Sequence, residues 1–255
     1  MPFVTCAGHA LEYEWLTAAG AGEPTLVFLH EGLGSIRQWR DFPLQVAKAT
    51  GCRALVYSRY GYGQSDVLAE PRVDVRFMHR EALEALPELI EKLAIERPVL
   101  VGHSDGASIA LIHAGAGHAV RGLALMAPHV FVEPICVESI RKARAAFETS
   151  DLAQRLGRYH RDPAKTFHLW ADVWLDPEFL KWNIDKYLPA ISCPVLAIQG
   201  EDDEYGTMEQ LERLRRGVRG PCELVKLAAC GHAPFRDQPR ATLDALTRFI
   251  GECRG

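Results

Sequence analysis

The sequence predicts an α/β fold: a mostly parallel sheet flanked by helices, with a helical cap inserted late in the chain. Three observations predict it. Short apolar runs of strand length alternate with stretches whose apolar residues fall at helical spacing, which implies parallel strands joined by crossover helices. One such run, Val99-Leu100-Val101, stops at Gly102 and resumes after Gly106 as small and apolar helix-like sequence. Residues 133–190 then break the rhythm, with several helical patterns and no clear strand between two strand-like runs. The division read from this is a core of residues 1–132 and 191–255 and a cap of residues 133–190.

Taken in order, residues 3–16 alternate and turn at Ala7-Gly8-His9-Ala10, which predicts an opening β-hairpin. Gly20-Ala21-Gly22-Glu23-Pro24 reads as a loop and Thr25–Leu29 as a fully apolar strand ending at His30-Glu31-Gly32-Leu33-Gly34-Ser35. A helix is expected over about Ile36–Ala49, then a strand over Cys52–Ser58 and a glycine-rich loop from Arg59 to Asp66. Helical spacing over residues 74–96 is interrupted by Pro87. Further strands are expected at Gly122–Ala127, Cys193–Gln199 and Leu224–Leu227, with a closing helix over 240–253. The cap segment holds Phe147, Tyr159, Phe167, Trp170, Trp174, Phe179, Trp182 and Tyr187. Most of these are expected to hold a helical bundle together, and two or three to touch a ligand at the strand ends, where open α/β sheets bind their ligands.

Composition narrows the classes of function. A chain of 255 residues can bury a sizeable core, and its 48% hydrophobic and 24% charged residues are ordinary for a globular protein. A net charge of −4 with no basic run gives no electrostatic footprint for nucleic acid. No apolar stretch approaches the roughly 18 residues of a membrane span, and Met-Pro-Phe-Val-Thr-Cys lacks the pattern of a signal peptide. Seven cysteines, odd in number and without a C-x-x-C pair, read as reduced thiols of a cytoplasmic protein.

The chemistry is signalled by Gly102-His103-Ser104-Asp105-Gly106. A serine at the apex of a strand–turn–helix takes a strained backbone conformation, and its flanking glycines relieve crowding there. The turn lifts the hydroxyl clear of the sheet, over the positive end of the following helix. Ser104 is thus a candidate nucleophile, which needs a base and an orienting acid. His232, in Cys230-Gly231-His232-Ala233-Pro234, lies on a loop between structure breakers after the last strand. Gln199-Gly200-Glu201-Asp202-Asp203 sits where another strand ends, giving the chain order Ser, Asp, His.

Together the His30–Ser35 loop, the Arg59–Asp66 loop, the Ser104 elbow, Gly200–Asp203 and Gly231-His232 give the chain its likeness to a family. It resembles the α/β-hydrolase superfamily over nearly its whole length, in the branch of compact serine esterases, lactonases and carbon–carbon bond hydrolases with a helical cap. The resemblance places the acid three residues after the glycine that ends its strand, which selects Asp203 over Asp202. It implies Ser104 as nucleophile, His232 as base and Asp203 as acid, with the backbone N–H groups of Asp105 and Gly32 as oxyanion donors, or Leu33 if the loop is shifted. The chain departs from the family pattern at Glu31, where glycine is usual, and at Tyr60, where proline is frequent. A carboxylate aimed at an oxyanion would raise its energy, so the Glu31 and Asp105 side chains are expected to point elsewhere. One of them could bind a cationic or hydroxyl group of the substrate. Glu31 and His103 are candidate substrate-binding residues, with packing beside the nucleophile as the alternative for His103. The implied activity is hydrolysis of a small to medium, partly apolar carboxylic ester, needing no metal or organic cofactor. Thioester, lactone and carbon–carbon cleavage use the same residues, and a non-turnover ligand receptor on this fold is the reading from another class.

Overall fold

The computed structural model describes residues 1–16, 22–69 and 74–254. Eight strands form one sheet: β1 (Phe3–Cys6), β2 (His9–Leu16), β3 (Gly22–Leu29), β4 (Cys52–Tyr57), β5 (Val99–His103), β6 (Gly122–Met126), β7 (Val195–Gly200) and β8 (Cys222–Leu227). Their order across the sheet is β1-β2-β4-β3-β5-β6-β7-β8. The β1–β2 and β2–β4 pairs are antiparallel and every pair from β4 to β8 is parallel. The expected hairpin turns at Ala7 and Gly8, both with positive φ. Gly20 and Ala21 of the expected first loop lie outside the described residues, whereas Gly22–Pro24 already belong to β3.

The central parallel strands carry near-continuous apolar runs because both faces of the sheet are covered. Val27, Leu29, Leu100, Leu123, Leu125 and Ala197 point into one buried cluster. Leu26, Phe28, Val99, Val101, Ala124 and Ile198 point into the other. The second face is closed by a short 3-10 turn, Ile36–Trp39, by α1 (Phe42–Thr50) and by the C-terminal segment. The single helix expected over Ile36–Ala49 is therefore two pieces, broken where Arg40 takes φ 55°. The first face is closed by α2 (Phe77–Arg80), a widened π turn at Glu81–Ala85, α3 (Leu86–Lys92) and α4 (Asp105–Gly115). Pro87 sits in the first turn of α3, immediately after the widened turn, where its missing N–H costs least.

Between β6 and β7 come α5 (Pro134–Thr149), α6 (Leu152–Leu156), α7 (Pro163–Trp174) and two short 3-10 turns. No strand occurs there among the described residues, only an isolated bridge between Phe131 and Asn183. Phe147 stacks on Phe167 at 4.0 Å, and Phe179 lies 5.0 Å from Trp174 and 5.2 Å from Trp182, so these rings build the helical cluster itself. The chain closes with α8 (Glu209–Gly217), α9 (Pro234–Asp237) and α10 (Pro239–Glu252). No helix among the described residues is long and apolar enough to cross a membrane.

Candidate active site

Ser104 follows directly on the central strand β5 and precedes α4, with φ 52° and ψ −118°. A β-carbon-bearing residue reaches that region only under strain, and the surroundings hold it there. The Ser104 N–H donates to the Met126 carbonyl at 2.9 Å, and its own carbonyl receives the N–H groups of Ala107 and Ser108 at 2.9 and 3.1 Å. Gly102 is a glycine because a β-carbon there would meet the Ala107 main chain at 2.6 Å. Gly106 answers a different crowding: its β-carbon would strike the carbonyls of Leu29 and His30 at the end of β3. The elbow is thus wedged between its own helix and the neighbouring strand.

His232 reaches Ser104 Oγ through Nε2 at 2.9 Å, while Nδ1 faces Asp203 Oδ1 and Oδ2 at 2.8 and 3.0 Å. A carboxylate only accepts, so Nδ1 carries the hydrogen and Nε2 is free to take the hydroxyl proton. Of the adjacent acids, it is the buried Asp203 that faces His232, while Asp202 is exposed. Asp203 Oδ1 also receives the Tyr205 N–H at 2.8 Å. Gly200 lets the two loops meet, because a side chain there would collide with the carbonyls of Cys230 and Gly231. Burial pushes the Asp203 carboxyl up, but the hydrogen bond and charge of His232 outweigh it and hold it below its ordinary range. Burial likewise pushes His232 down, and the bond and charge of Asp203 outweigh that and raise it. His129 packs 5.6 Å from His232 and is pushed down to about 3 by burial and then by the His232 charge, so it stays neutral.

The loop after β3 is set by distant side chains. The Glu31 carbonyl accepts from Arg59 Nη2 at 2.8 Å, from His30 Nδ1 at 2.7 Å and from the Gly34 N–H at 3.0 Å. In a trans peptide the N–H points opposite to the carbonyl, so this anchoring turns the Gly32 N–H away from Arg59. The Leu33 carbonyl is taken by His160 Nε2 at 3.0 Å. Glu31 is tolerated where glycine is usual because its φ is not positive. At Gly32 a β-carbon would run into the Trp170 indole. The Asp105 N–H is the first of α4 and has no acceptor within its helix.

The Asp105 carboxylate is fully buried, bound by Trp174 Nε1 at 3.2 Å and 3.8 Å from Arg59 Nη2. Burial raises its carboxyl, partly offset by Arg59 and Trp174. Glu31 and His103, the candidate substrate-binding residues, face other protein groups. His103 is 2% exposed, with Nε2 donating to the His232 carbonyl at 2.8 Å, and the Glu31 carboxylate turns to His103 and Arg236.

Sequence reasoning left unnamed the aromatic residues that reach the site. Trp170 covers Gly32, Trp174 binds Asp105, and Tyr205 lies 4.7 Å from His232 and 6.5 Å from Trp170. The available signal was the four-residue spacing of Trp170 and Trp174, which puts both on one face of α7. His160 gave no signal, yet it joins Gly63 N–H at 2.9 Å to the Leu33 carbonyl.

A strained serine, a histidine on its hydroxyl and a buried acid behind that histidine, all at the C-terminal edge of a parallel sheet, match a known family. The Alpha/beta hydrolase family profile fits residues 26–245. The chain belongs to the alpha/beta hydrolase family. A 2-hydroxy-6-oxononadienedioate/2-hydroxy-6-oxononatrienedioate hydrolase of Klebsiella pneumoniae is 25% identical over 252 aligned residues, covering 84% of this chain and 82% of that protein. Among solved structures, the enol-lactonase from Burkholderia xenovorans LB400 is 18% identical with a TM-score of 0.77, over 98% of this chain and 99% of that one. A thermophilic esterase from Thermogutta terrifontis is 20% identical with a TM-score of 0.74, over 100% and 99%. At these identities the two structures speak for the fold.

Proposed function

We propose that this hydrolase cleaves small to medium, partly apolar carboxylic esters through an acyl-enzyme on Ser104. The observation that carries the reading is the chain of hydrogen bonds from Ser104 Oγ through His232 to Asp203, at 2.9 and 2.8 Å. Ser104 Oγ attacks the ester carbonyl as His232 Nε2 takes its proton, and Asp203 stabilises the imidazolium that forms. The oxyanion is received by the N–H groups of Gly32 and Asp105, each worth about 3 kcal/mol in the transition state. The tetrahedral intermediate collapses as the alcohol leaves with the proton from His232. Water then attacks the acyl carbonyl, giving its proton to His232, and Ser104 regains a proton as the acid departs.

Residues 133–190 act as a cap in this reading, with Trp170 beside the oxyanion-binding loop. Free thiols at all seven cysteines support a reducing, cytoplasmic setting. The Klebsiella relative favours carbon–carbon bond hydrolysis as a second reading, since the same residues serve a ketone carbonyl.

A burst assay with 4-nitrophenyl esters of increasing acyl length, run beside Ser104→Ala, tests the proposal. Rapid turnover that falls on the order of 10⁶-fold in the variant supports it. Stoichiometric release without turnover points instead to a ligand receptor. Absence of any burst from a folded protein overturns the ester reading and sends the search to carbon–carbon substrates.

A further inference from the structure

The Glu31 carboxylate lies where three segments meet. It is 3.4 Å from Nδ1 of His103 in the elbow and 3.4 Å from Nη2 of Arg236 in α9, four residues after His232. Its own main chain carries the Gly32 N–H. Burial pushes this carboxyl up, but the contact and charge of His103 and the charge of Arg236 outweigh it, so it remains ionised. Arg236 Nη2 also donates to the Gln38 carbonyl at 3.1 Å, tying α9 to the turn that follows the loop after β3.

His103 passes the restraint on. Its Nε2–H holds the His232 carbonyl at 2.8 Å, and on the other side the His232 N–H is held by Glu204 Oε2 at 3.2 Å. The backbone of His232 is therefore gripped at both of its polar groups. With Nε2–H on the carbonyl, Nδ1 makes no hydrogen bond and faces the carboxylate at 3.4 Å, a contact that holds the ring in this orientation when Nδ1 carries a proton as well. Without it, the ring could rotate and leave that carbonyl unpaired in a site where His103 is buried.

We propose that Glu31 and His103 form a second acid–histidine pair, acting on the His232 main chain rather than on its ring. In this pair Glu31 is a positioning residue that ties the Gly32 donor to the His232 base. The assignment rests on the hydrolytic reading of Ser104. It accounts for a carboxylate where the family usually has glycine.

The test is the rate at which diisopropyl fluorophosphate phosphorylates Ser104, followed by mass spectrometry, together with kcat and KM on the best nitrophenyl ester. Glu31→Ala and His103→Leu are each expected to slow labelling and lower kcat about 10²-fold, the scale of a misplaced reacting group, with KM nearly unchanged. The double variant is expected to lose no more than either single one. His103→Asn, which keeps a donor for the His232 carbonyl, is expected to recover most of the rate. The groups facing His232 are Asp203, Glu204 and Tyr205 after β7, His129 after β6, His103 in the elbow and Glu31. Glu31→Gln removes one of the negative charges that raise His232, so the acid limb of the rate profile is expected to move to lower pH. Additive losses, or a Glu31→Ala protein that is folded and labels at the wild-type rate, overturn the pair. A rise in KM alone, confined to amino-bearing esters, returns Glu31 to substrate contact. A wild-type protein that does not label at Ser104 sinks the hydrolytic reading itself, an outcome distinct from the others.

Discussion

The elbow at Ser104 and the loop after β3 lie side by side at one edge of the sheet, yet they are fixed by different physics. The elbow is set by main chain: φ 52° at Ser104, Gly102 against Ala107, Gly106 against the end of β3, and the Ser104 N–H on Met126. The loop after β3 contains no positive φ among His30–Ser35 and takes its shape from side chains far along the sequence. Arg59 holds its carbonyls, His160 takes Leu33, Trp170 lies on Gly32, and Glu31 reaches to His103 and Arg236. A turn held by main chain fails all at once. One held by side chains can be loosened contact by contact.

The largest effect that would break this comparison is at Gly106. Alanine there drives a β-carbon into the Leu29 carbonyl, which belongs to the sheet and cannot swing away, and against that of His30. Overpacking of this kind is expected to cost about 3 kcal/mol or more, read as a lower urea midpoint or as failure to fold. A Gly106→Ala protein within about 1 kcal/mol of wild type would mean that the elbow is not fixed by the sheet.

The same contrast explains what the sequence let one read. Gly102, Ser104 and Gly106 are legible because the strain acts within five consecutive residues and leaves its mark as glycine. Asp203 was separable from Asp202 only through the family spacing, whereas the structure separates them by burial. The parallel strands were legible from their apolar runs, and their ends fell within a few residues of those expected. The break at Arg40 within Ile36–Ala49 was not, because nothing in the apolar spacing marks a non-glycine residue with positive φ. The contacts of His160, Trp170 and Trp174 join residues from about 70 to 140 positions apart, and no local pattern encodes such a pairing. Glu31 was visible as a departure from the family, but its partners were not.

A smaller effect sharpens the comparison at Gly32. Its crowding partner is the Trp170 indole, a side chain on a helix outside the sheet. Gly32→Ala is expected to cost about 1–2 kcal/mol, less than Gly106→Ala, because a ring can shift where a sheet carbonyl cannot. Trp170→Ala makes room for the new methyl, so the double variant is expected to be more stable than the sum of the single losses by about 1 kcal/mol. Strict additivity in urea unfolding would show that the two residues are not in contact in solution.

The smallest effect concerns acid. Two of the groups that hold the loop are buried histidines acting as neutral rings. His30 donates from Nδ1 to the Glu31 carbonyl and accepts the Arg59 N–H at Nε2, at 2.7 and 3.1 Å. His160 accepts the Gly63 N–H at Nδ1 and donates from Nε2 to Leu33, at 2.9 and 3.0 Å. A second proton on either ring would face an N–H, and burial pushes both rings below their ordinary range. The unfolded chain therefore binds these protons first as pH falls through about 6.5, and the folded loop loses stability over that window, at most about 1.4 kcal/mol per group per unit. The main-chain bonds of the elbow, among Ser104, Met126, Ala107 and Ser108, include no such ring. Between pH 7 and 5.5, hydrogen-exchange protection is expected to fall at Gly63 and Gly34 while it persists at Ala107 and Ser108. Activity is the wrong readout, because in the proposed mechanism protonation of His232, which Asp203 favours, lowers it as well. Equal loss of protection in both regions would mean that they open as one unit, and that main-chain and side-chain restraint do not separate at this sheet edge.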